Sequence, residues 1–287
     1  MFAIMGITGQ VGGATARALL ADKFAVRAVV RDQRRASAWV AQGADIAVAD
    51  MNDVDALVRA FTNVDGVFAM IPPNFAPAAD FAESRGIIDT LRTALERAAP
   101  PKVVCLSSIG AQHDTGLGLV TQLHMLENAL GTLPFPIAFL RPAWFMENIA
   151  WDIAPARASG VLHSFLHPLD RALPMVATVD IGHIAARRLR QRWSGRKKVE
   201  IEGPARYSPA DLASTLTQAL HRPVKAVAVP PETWEETFRQ QGTIDPSPRI
   251  DMLNGFNNGW IDFEGTPNEH LAGETTLEEA VAALLPR

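Results

Sequence analysis

The amino-acid sequence predicts an α/β fold: a doubly wound parallel sheet with a smaller C-terminal α/β lobe. Three observations predict it. Short apolar runs alternate with helical segments through the first half of the chain, the first run opens into a glycine-punctuated turn, and the alternation breaks beyond residue 143. Parallel strands need long crossovers, and right-handed crossovers leave the sheet covered on both faces. Such strands are continuously apolar, as VRAVV, GVFAMI and VVCL are. At 287 residues the chain can bury one large core or two small ones.

Residues 1–5 read as a buried strand, residues 14–22 as a helix and residues 24–30 as a second strand. With Gly6, Gly9 and Gly12 between the first two, this is the opening of a Rossmann nucleotide unit. Residues 36–42 form a short helix ended by Gly43, and 46–49 a third strand closed by Asp50. Asp53 caps a helix over 54–61, where Val54, Leu57, Val58 and Phe61 recur at helical spacing. A fourth strand over 67–71 stops at Pro72 and Pro73. A helix over 77–98, a strand over 103–106, a helix over 119–130 and a strand over 137–140 follow. Residues 150–173 begin the smaller lobe, and 176–179 return to the large domain, with Asp180 capping the next helix and a strand at 198–201. Ser208 caps a helix from Pro209 to Leu220, and a strand over 224–229 and a helix over 233–241 fill out the smaller lobe. NGFNNGWIDFEG reads as loop and TTLEEAVAALL as a capped terminal helix. The expected division is a dinucleotide domain at 1–143, rejoined by about 176–203, with the smaller lobe at 144–175 and 204–287.

Composition narrows the function classes. A net charge of −4 with both signs interspersed offers no broad basic surface for nucleic acid. The basic run from Arg187 to Lys198 reads as a solvated helix face. No apolar stretch is long enough for a bilayer, and the N-terminus lacks a signal-peptide layout, so no membrane role is expected. The single cysteine, Cys105, lies in an apolar run and reads as a structural thiol, which suits a reducing cytoplasm. His163, His167, His183 and His221 form no metal-ligand pattern, and no metal is expected. Monomer and homodimer both remain open.

The glycine turn is the first stretch that carries chemistry. Gly6 permits a tight exit from the strand, Gly9 lets a pyrophosphate approach the backbone, and Gly12 lets the helix pack on the sheet. Gln10 and Val11 are candidate cofactor contacts within the turn, and the N–H groups and positive dipole end of the helix that follows receive the phosphates. Arg31 stands where a ribose-binding carboxylate would favour NAD(H), with Arg34 and Arg35 close behind. A guanidinium fork there fits a 2′-phosphate, so NADP(H) is the expected cofactor; Asp32 is the one residue placed to serve the ribose instead. Asp50 is a candidate partner for the adenine amino group, or an ordinary helix-start aspartate. Met70, Ile71 and Pro72 floor the pocket near the nicotinamide ribose, or simply end a strand.

Hydride transfer of the tyrosine–lysine type needs both residues four apart on one helix face. The only tyrosine, Tyr207, lies elsewhere, and TQLHMLENAL holds neither residue. His124 and Glu127 are the nearest polar candidates there; His124 is either a proton donor or a satisfied surface histidine. Ser107 and Ser108 sit at a strand end where a hydroxyl can steer a carbonyl substrate, without the GxSxG of a hydrolase. Trp144 and Phe145, with Trp151 and Phe165, either line a cleft for a flat quinone or flavin or pack the smaller lobe.

The stretches GITGQVGG, VVRD, LSSIGA, FLRPAWFMENI and VDIGHIAARRL resemble the NmrA-like branch of atypical short-chain dehydrogenase/reductases. Within it the chain is similar to bacterial NAD(P)H-dependent quinone reductases. The resemblance implies substrate or effector held between a Rossmann domain and a small C-terminal domain. It also implies cofactor contacts at Gly6, Thr8, Gly9, Gly12, Arg31, the end of the fourth strand and Ser107. Where members place a lysine in the helix after LSSIGA, this chain aligns His124. Members range from NADPH-dependent reductases to regulators that bind dinucleotide without turnover. Two functions are therefore expected as alternatives. One is an NADPH-dependent reductase of a small flat carbonyl compound such as a quinone, whose reduced anion needs little protonation. The other is a non-catalytic NADP(H) sensor acting through a protein partner.

Overall fold

The first strand lies inside the sheet, because the chain builds outward from it in both directions. β1 (Phe2–Ile4) leads through the glycine turn into α1 (Gln10–Ala21), then β2 (Val26–Val30), α2 (Ser37–Val40), β3 (Asp45–Val48) and α3 (Val54–Phe61). The chain crosses back to β4 (Gly66–Ala69), α4 (Ala82–Ala98), β5 (Val103–Leu106), α5 (Thr121–Leu130) and β6 (Ile137–Pro142). The alternation then breaks at β7 (Trp144–Phe145), α6 (Ala150–Ser159) and β8 (Val161–Ser164). β9 (Leu173–Val176), α7 (Thr178–Arg190), β10 (Arg196–Glu202), β11 (Arg206–Tyr207), α8 (Pro209–Leu220) and β12 (Lys225–Ala228) follow. α9 (Trp234–Gln240), α10 (Ser247–Asn258), β13 (Glu269–Ala272) and α11 (Leu277–Leu284) come last. The structure is a computed structural model that describes residues 1–285. Residues 286 and 287, the end of the span assigned to the smaller lobe, lie outside the described residues.

Eight strands pair in the order β13-β10-β6-β5-β4-β1-β2-β3, each pair parallel. This is the doubly wound Rossmann sheet that the apolar runs predict. Alternate residues of a strand face opposite ways, so Phe2 and Ile4 join the core under α1 and α7 while Ala3 and Met5 join the core under α3, α4 and α5. α1 and α7 touch backbone to backbone: a Cβ on Gly182 would stand 2.8 Å from Thr15 N. A separate core around Trp234, Phe238, Leu216 and Val281 fills the smaller lobe. Its strands form the sheets β11-β9-β7 and β12-β8. Ser208 caps α8 as expected, accepting from Asp211 N while the Asp211 carboxylate accepts from Ser208 N, a full capping box.

Several elements differ from expectation for local reasons. α4 starts at Ala82, not near Pro77, because Phe81 adopts a left-handed φ of 56°. Asp180 does not cap α7; the cap position is Ala177, and the buried Asp180 carboxylate accepts from Thr275 N and Oγ1, both at 2.9 Å. The stretch expected to be loop from NGFNNG contains the end of α10. Its glycine is a packing requirement, since a Cβ on Gly255 would stand 3.1 Å from the Trp260 ring and closer still to Ile261. β13, too short and exposed to read as a strand, pairs with β10. It sets part of 204–287 in the large sheet instead of the smaller lobe. Among the described residues no helix is long and apolar enough to cross a membrane.

Candidate functional site

The strand order reverses at β1, which has β2 on one side and β4 on the other. In such sheets ligands lie beyond the C-terminal strand ends at the reversal. Gly6 leaves β1 at φ 61°, and its carbonyl accepts from Gly9 N at 2.9 Å, closing the turn on itself. Gly9 is the N-cap of α1 and offers no capping side chain, and the first helical turn has no acidic residue. Gly13 N–H makes the first bond back to the cap, on Gly9 O at 3.0 Å. The N–H groups of Gln10, Val11 and Gly12 precede that bond and so face outward from the helix end. A Cβ on Gly12 would stand 2.7 Å from Met5 O and closer to Gly6. Thr8, Gly9 and Gln10 are exposed, while Val11 and Gly12 are buried. A backbone cradle at an uncapped, acid-free helix end fits a pyrophosphate.

The structure brings Met70 to this turn, with its Sδ against the space a Cβ on Gly6 would need. Ile71 is instead buried in the core under α3 and α4, and Pro72 is half-buried beside it. Arg31 is exposed at the end of β2, and no carboxylate pairs with it among the described residues. Asp32 is committed elsewhere. It caps a short 3-10 turn at Gln33–Ala36 and is chelated by Arg34, with Nη2 at 2.8 Å. The Arg34 side chain, and then its backbone N–H, hold the Asp32 carboxyl below its usual range. Asp50 accepts from Asn52 N and Nδ2, the arrangement of a local turn aspartate.

At the end of β5, Ser107 Oγ donates to Glu127 Oε1 on α5 at 2.5 Å. Arg141 of β6 chelates that carboxylate through Nε at 2.8 Å and Nη2 at 2.7 Å. Ser108 Oγ turns away, onto Ile109 O. His124 is fastened at both nitrogens: Nδ1 lies 2.9 Å from Ala111 O, and Nε2 lies 2.8 Å from Asn128 Nδ2. A carbonyl only accepts and an amide N–H only donates, so Nδ1 carries the proton and Nε2 accepts. Tyr207 is far from this arrangement in role as well as sequence: its hydroxyl accepts from Leu277 N at the start of α11. Burial pushes the Cys105 thiol up, which leaves it a packing residue.

The aromatic residues disperse. Trp144 meets Phe256 edge-on at 5.1 Å, and Phe145 packs against the core under α1 and α7. Phe165 joins Trp234 and Phe238 in the smaller lobe, whereas Trp151 is 82% exposed. A cavity of about 500 Å³ opens between the loop after β5 and α10, lined by His113, Asp114, Thr115, Asp251, Asn254 and Trp260 among others. Burial, and then the charge of Asp245, push the Asp251 carboxyl up. The sequence carries no sign of this cavity, because its far wall is the helix that reads as loop. Neither does it show Arg141 as a partner of Glu127.

Known proteins resemble this chain along nearly its whole length. A family model described as the NmrA-like family matches residues 1–252. The chain is 26% identical over 274 residues to an NAD(P)H azoreductase of Xenophilus azovorans, covering 95% of this chain and 90% of the relative. It is 25% identical over 292 residues to quinone oxidoreductase 2 of Escherichia coli K12, covering 99% and 98%. Among solved structures, the E. coli NADPH-dependent quinone oxidoreductase in complex with NADPH superimposes with a TM-score of 0.79 at 22% identity, covering 99% of each chain. The Citrobacter sp. triphenylmethane reductase with NADP(H) gives 0.78 at 19% identity, again covering 99% of each. Both structures hold the cofactor that Arg31 leads one to expect. The matched span takes in the glycine turn, the Ser107 strand end and α7 together, and the chain belongs to the NmrA-like family.

Proposed function

We propose that the protein is an NADPH-dependent reductase of a small flat carbonyl compound, with quinones as the acceptor class. The observation that carries the cofactor half is the separation of Arg31 from Asp32: Arg31 is exposed just past the end of β2 while its neighbouring carboxylate is chelated by Arg34. Bound NADPH would supply the hydride. The cradle from Gly6 to Gly12, with Thr8 at its tip, holds the pyrophosphate, and Arg31 holds the 2′-phosphate. Met70 and Pro72 lie under the nicotinamide ribose, and Asp50 borders the adenine. Ser107 and Ser108 border the nicotinamide end, and Trp144 lines the acceptor side.

The relatives named quinone oxidoreductase and azoreductase support the acceptor class. A quinone also fits the absence of a tyrosine–lysine pair, because its reduced anion is stabilised without one. His124, held at both ring nitrogens, favours water as the source of the proton. The lone buried thiol of Cys105 suits a reducing, cytoplasmic setting.

The test is NADPH oxidation measured across benzoquinones and aldehydes. Turnover with benzoquinones is the expected result, and His124→Ala leaves it within about twofold if water is the donor. The same lack of a proton donor favours a second reading, a sensor of the NADP(H) pool acting through a protein partner. Tight NADPH binding with no turnover on any acceptor selects the sensor and overturns the reductase.

A further inference from the structure

Ser107 has one proton to give, and the fold directs it inward. Its acceptor, Glu127 Oε1 at 2.5 Å, belongs to a carboxylate that is only 8% exposed. Behind Glu127 stands Arg141, 1% exposed, bonded to both of its oxygens. Arg141 has a further partner on its other side, Glu264 Oε2 at 2.8 Å from Nη1. Glu264 follows α10, and its backbone N–H, with that of Gly265, is pinned by the fully buried Glu200 of β10 at 2.8 and 3.1 Å. Asn268 Nδ2 joins the same two carboxylates. The guanidinium is therefore clamped from α5 and from the segment after α10, and its fork presents Glu127 at one angle only.

We infer that Glu127 is a positioning residue for Ser107, fixed by Arg141 and Glu264, which turns the Ser107 hydroxyl into a hydrogen-bond acceptor toward the nucleotide site. With its O–H directed at Glu127, Ser107 offers lone pairs to a donor group, of the class of a ribose hydroxyl or a carboxamide N–H. It does not donate to a substrate carbonyl while that bond is made, which reverses the polarity expected of this serine from sequence. The inference rests on the proposal that NADPH binds here.

The experiment is a double-mutant cycle with Ser107→Ala, Glu127→Gln and the pair, read as NADPH affinity by fluorescence titration and as melting temperature. In Glu127→Gln an NH2 standing in the place of Oε1 faces Ser107 and releases its hydroxyl proton toward the site; it also faces Arg141 Nε, so the amide oxygen keeps only the bond from Arg141 Nη2. Each single change weakens NADPH by about three- to tenfold, the range of one hydrogen bond, and Glu127→Gln adds nothing once Ser107 is alanine. Additive effects on affinity, or full affinity in Glu127→Gln, overturn the inference even if the melting temperature falls. Non-additivity in a protein that turns over no acceptor upholds it while the reductase reading fails. A wild-type protein that binds no NADPH overturns both.

Discussion

Arg34 Nη2 lies 2.8 Å from Asp32 Oδ2, and Arg34 Nε adds bonds at 3.1 Å to both carboxylate oxygens. This chelate occupies the one carboxylate adjacent in sequence to Arg31, the residue proposed to hold the 2′-phosphate. It is an exposed pair, with the Arg34 side chain 90% accessible, so its role is to orient Asp32 and not to stabilise the fold. Arg31→Ala should then weaken NADPH by about tenfold or more, the scale of a lost charge-assisted phosphate contact, with little change for NADH. Titrations of both nucleotides measure it, and equal losses would remove the 2′-phosphate from Arg31. Arg34→Ala frees Asp32 and should narrow the preference for NADPH from the other side.

The glycine turn makes a second prediction through sterics alone. Gly12→Ala places a methyl 2.7 Å from Met5 O and nearer still to Gly6, all of it backbone that cannot swing aside. Either the helix withdraws from β1 or the turn opens. The expected cost is about 1–3 kcal/mol of stability, together with loss of NADPH affinity. Gly43→Ala, with open space at its Cβ but a φ of 88°, is a control for strain without crowding. Unchanged nucleotide affinity in Gly12→Ala would show that the cradle tolerates a side chain and that the motif is read wrongly.

What is legible in the sequence follows from how local each feature is. The turn at Gly6, the cap at Asp53 and the cap at Ser208 are set within a few residues and stand as read, and Asp211 completes the last into a capping box. α10 is hidden because Gly255 and its neighbouring asparagines mimic a loop, while the reason for the glycine lies in Trp260 and Ile261. The site divides the same way. Arg31 follows from its place after a strand, but the link from Ser107 to Glu127 spans 20 residues and that from Arg141 to Glu127 spans 14. Only the packing of α5 on β5 and β6 brings these three together, and nothing in their spacing announces it.

The stretch FMENI illustrates how a motif can be structural. Glu147 accepts from Thr178 N at 2.8 Å and from Thr178 Oγ1 at 2.6 Å, so its carboxylate closes the N-terminus of α7 from the smaller lobe. Thr178 is 4% exposed, and without Glu147 its N–H loses that partner away from water. Glu147→Ala should lower stability by about 1–3 kcal/mol in urea unfolding. NADPH affinity should hold, since the contact faces α7 and not the cradle. A large loss of affinity at normal stability would move Glu147 into the site.

Asp152 supplies a prediction in pH. Burial pushes its carboxyl up to about 6, partly opposed by the charge of His163, whereas in an unfolded chain an aspartate titrates near about 3.9. The folded state thus holds the proton more tightly. The stability this contributes is fully present below pH about 4 and is lost as the pH rises through about 6. The whole difference corresponds to about 3 kcal/mol, and solvent screening of a group that keeps partial exposure reduces it to about 1 kcal/mol. Asp152→Asn has no charge to bury, so it should exceed the wild type by about 1 kcal/mol at pH 8 and match it at pH 4. Urea midpoints at the two pH values read the difference directly. A gain of equal size at both would mean that the amide acts through packing and that the carboxylate is not strained by its burial.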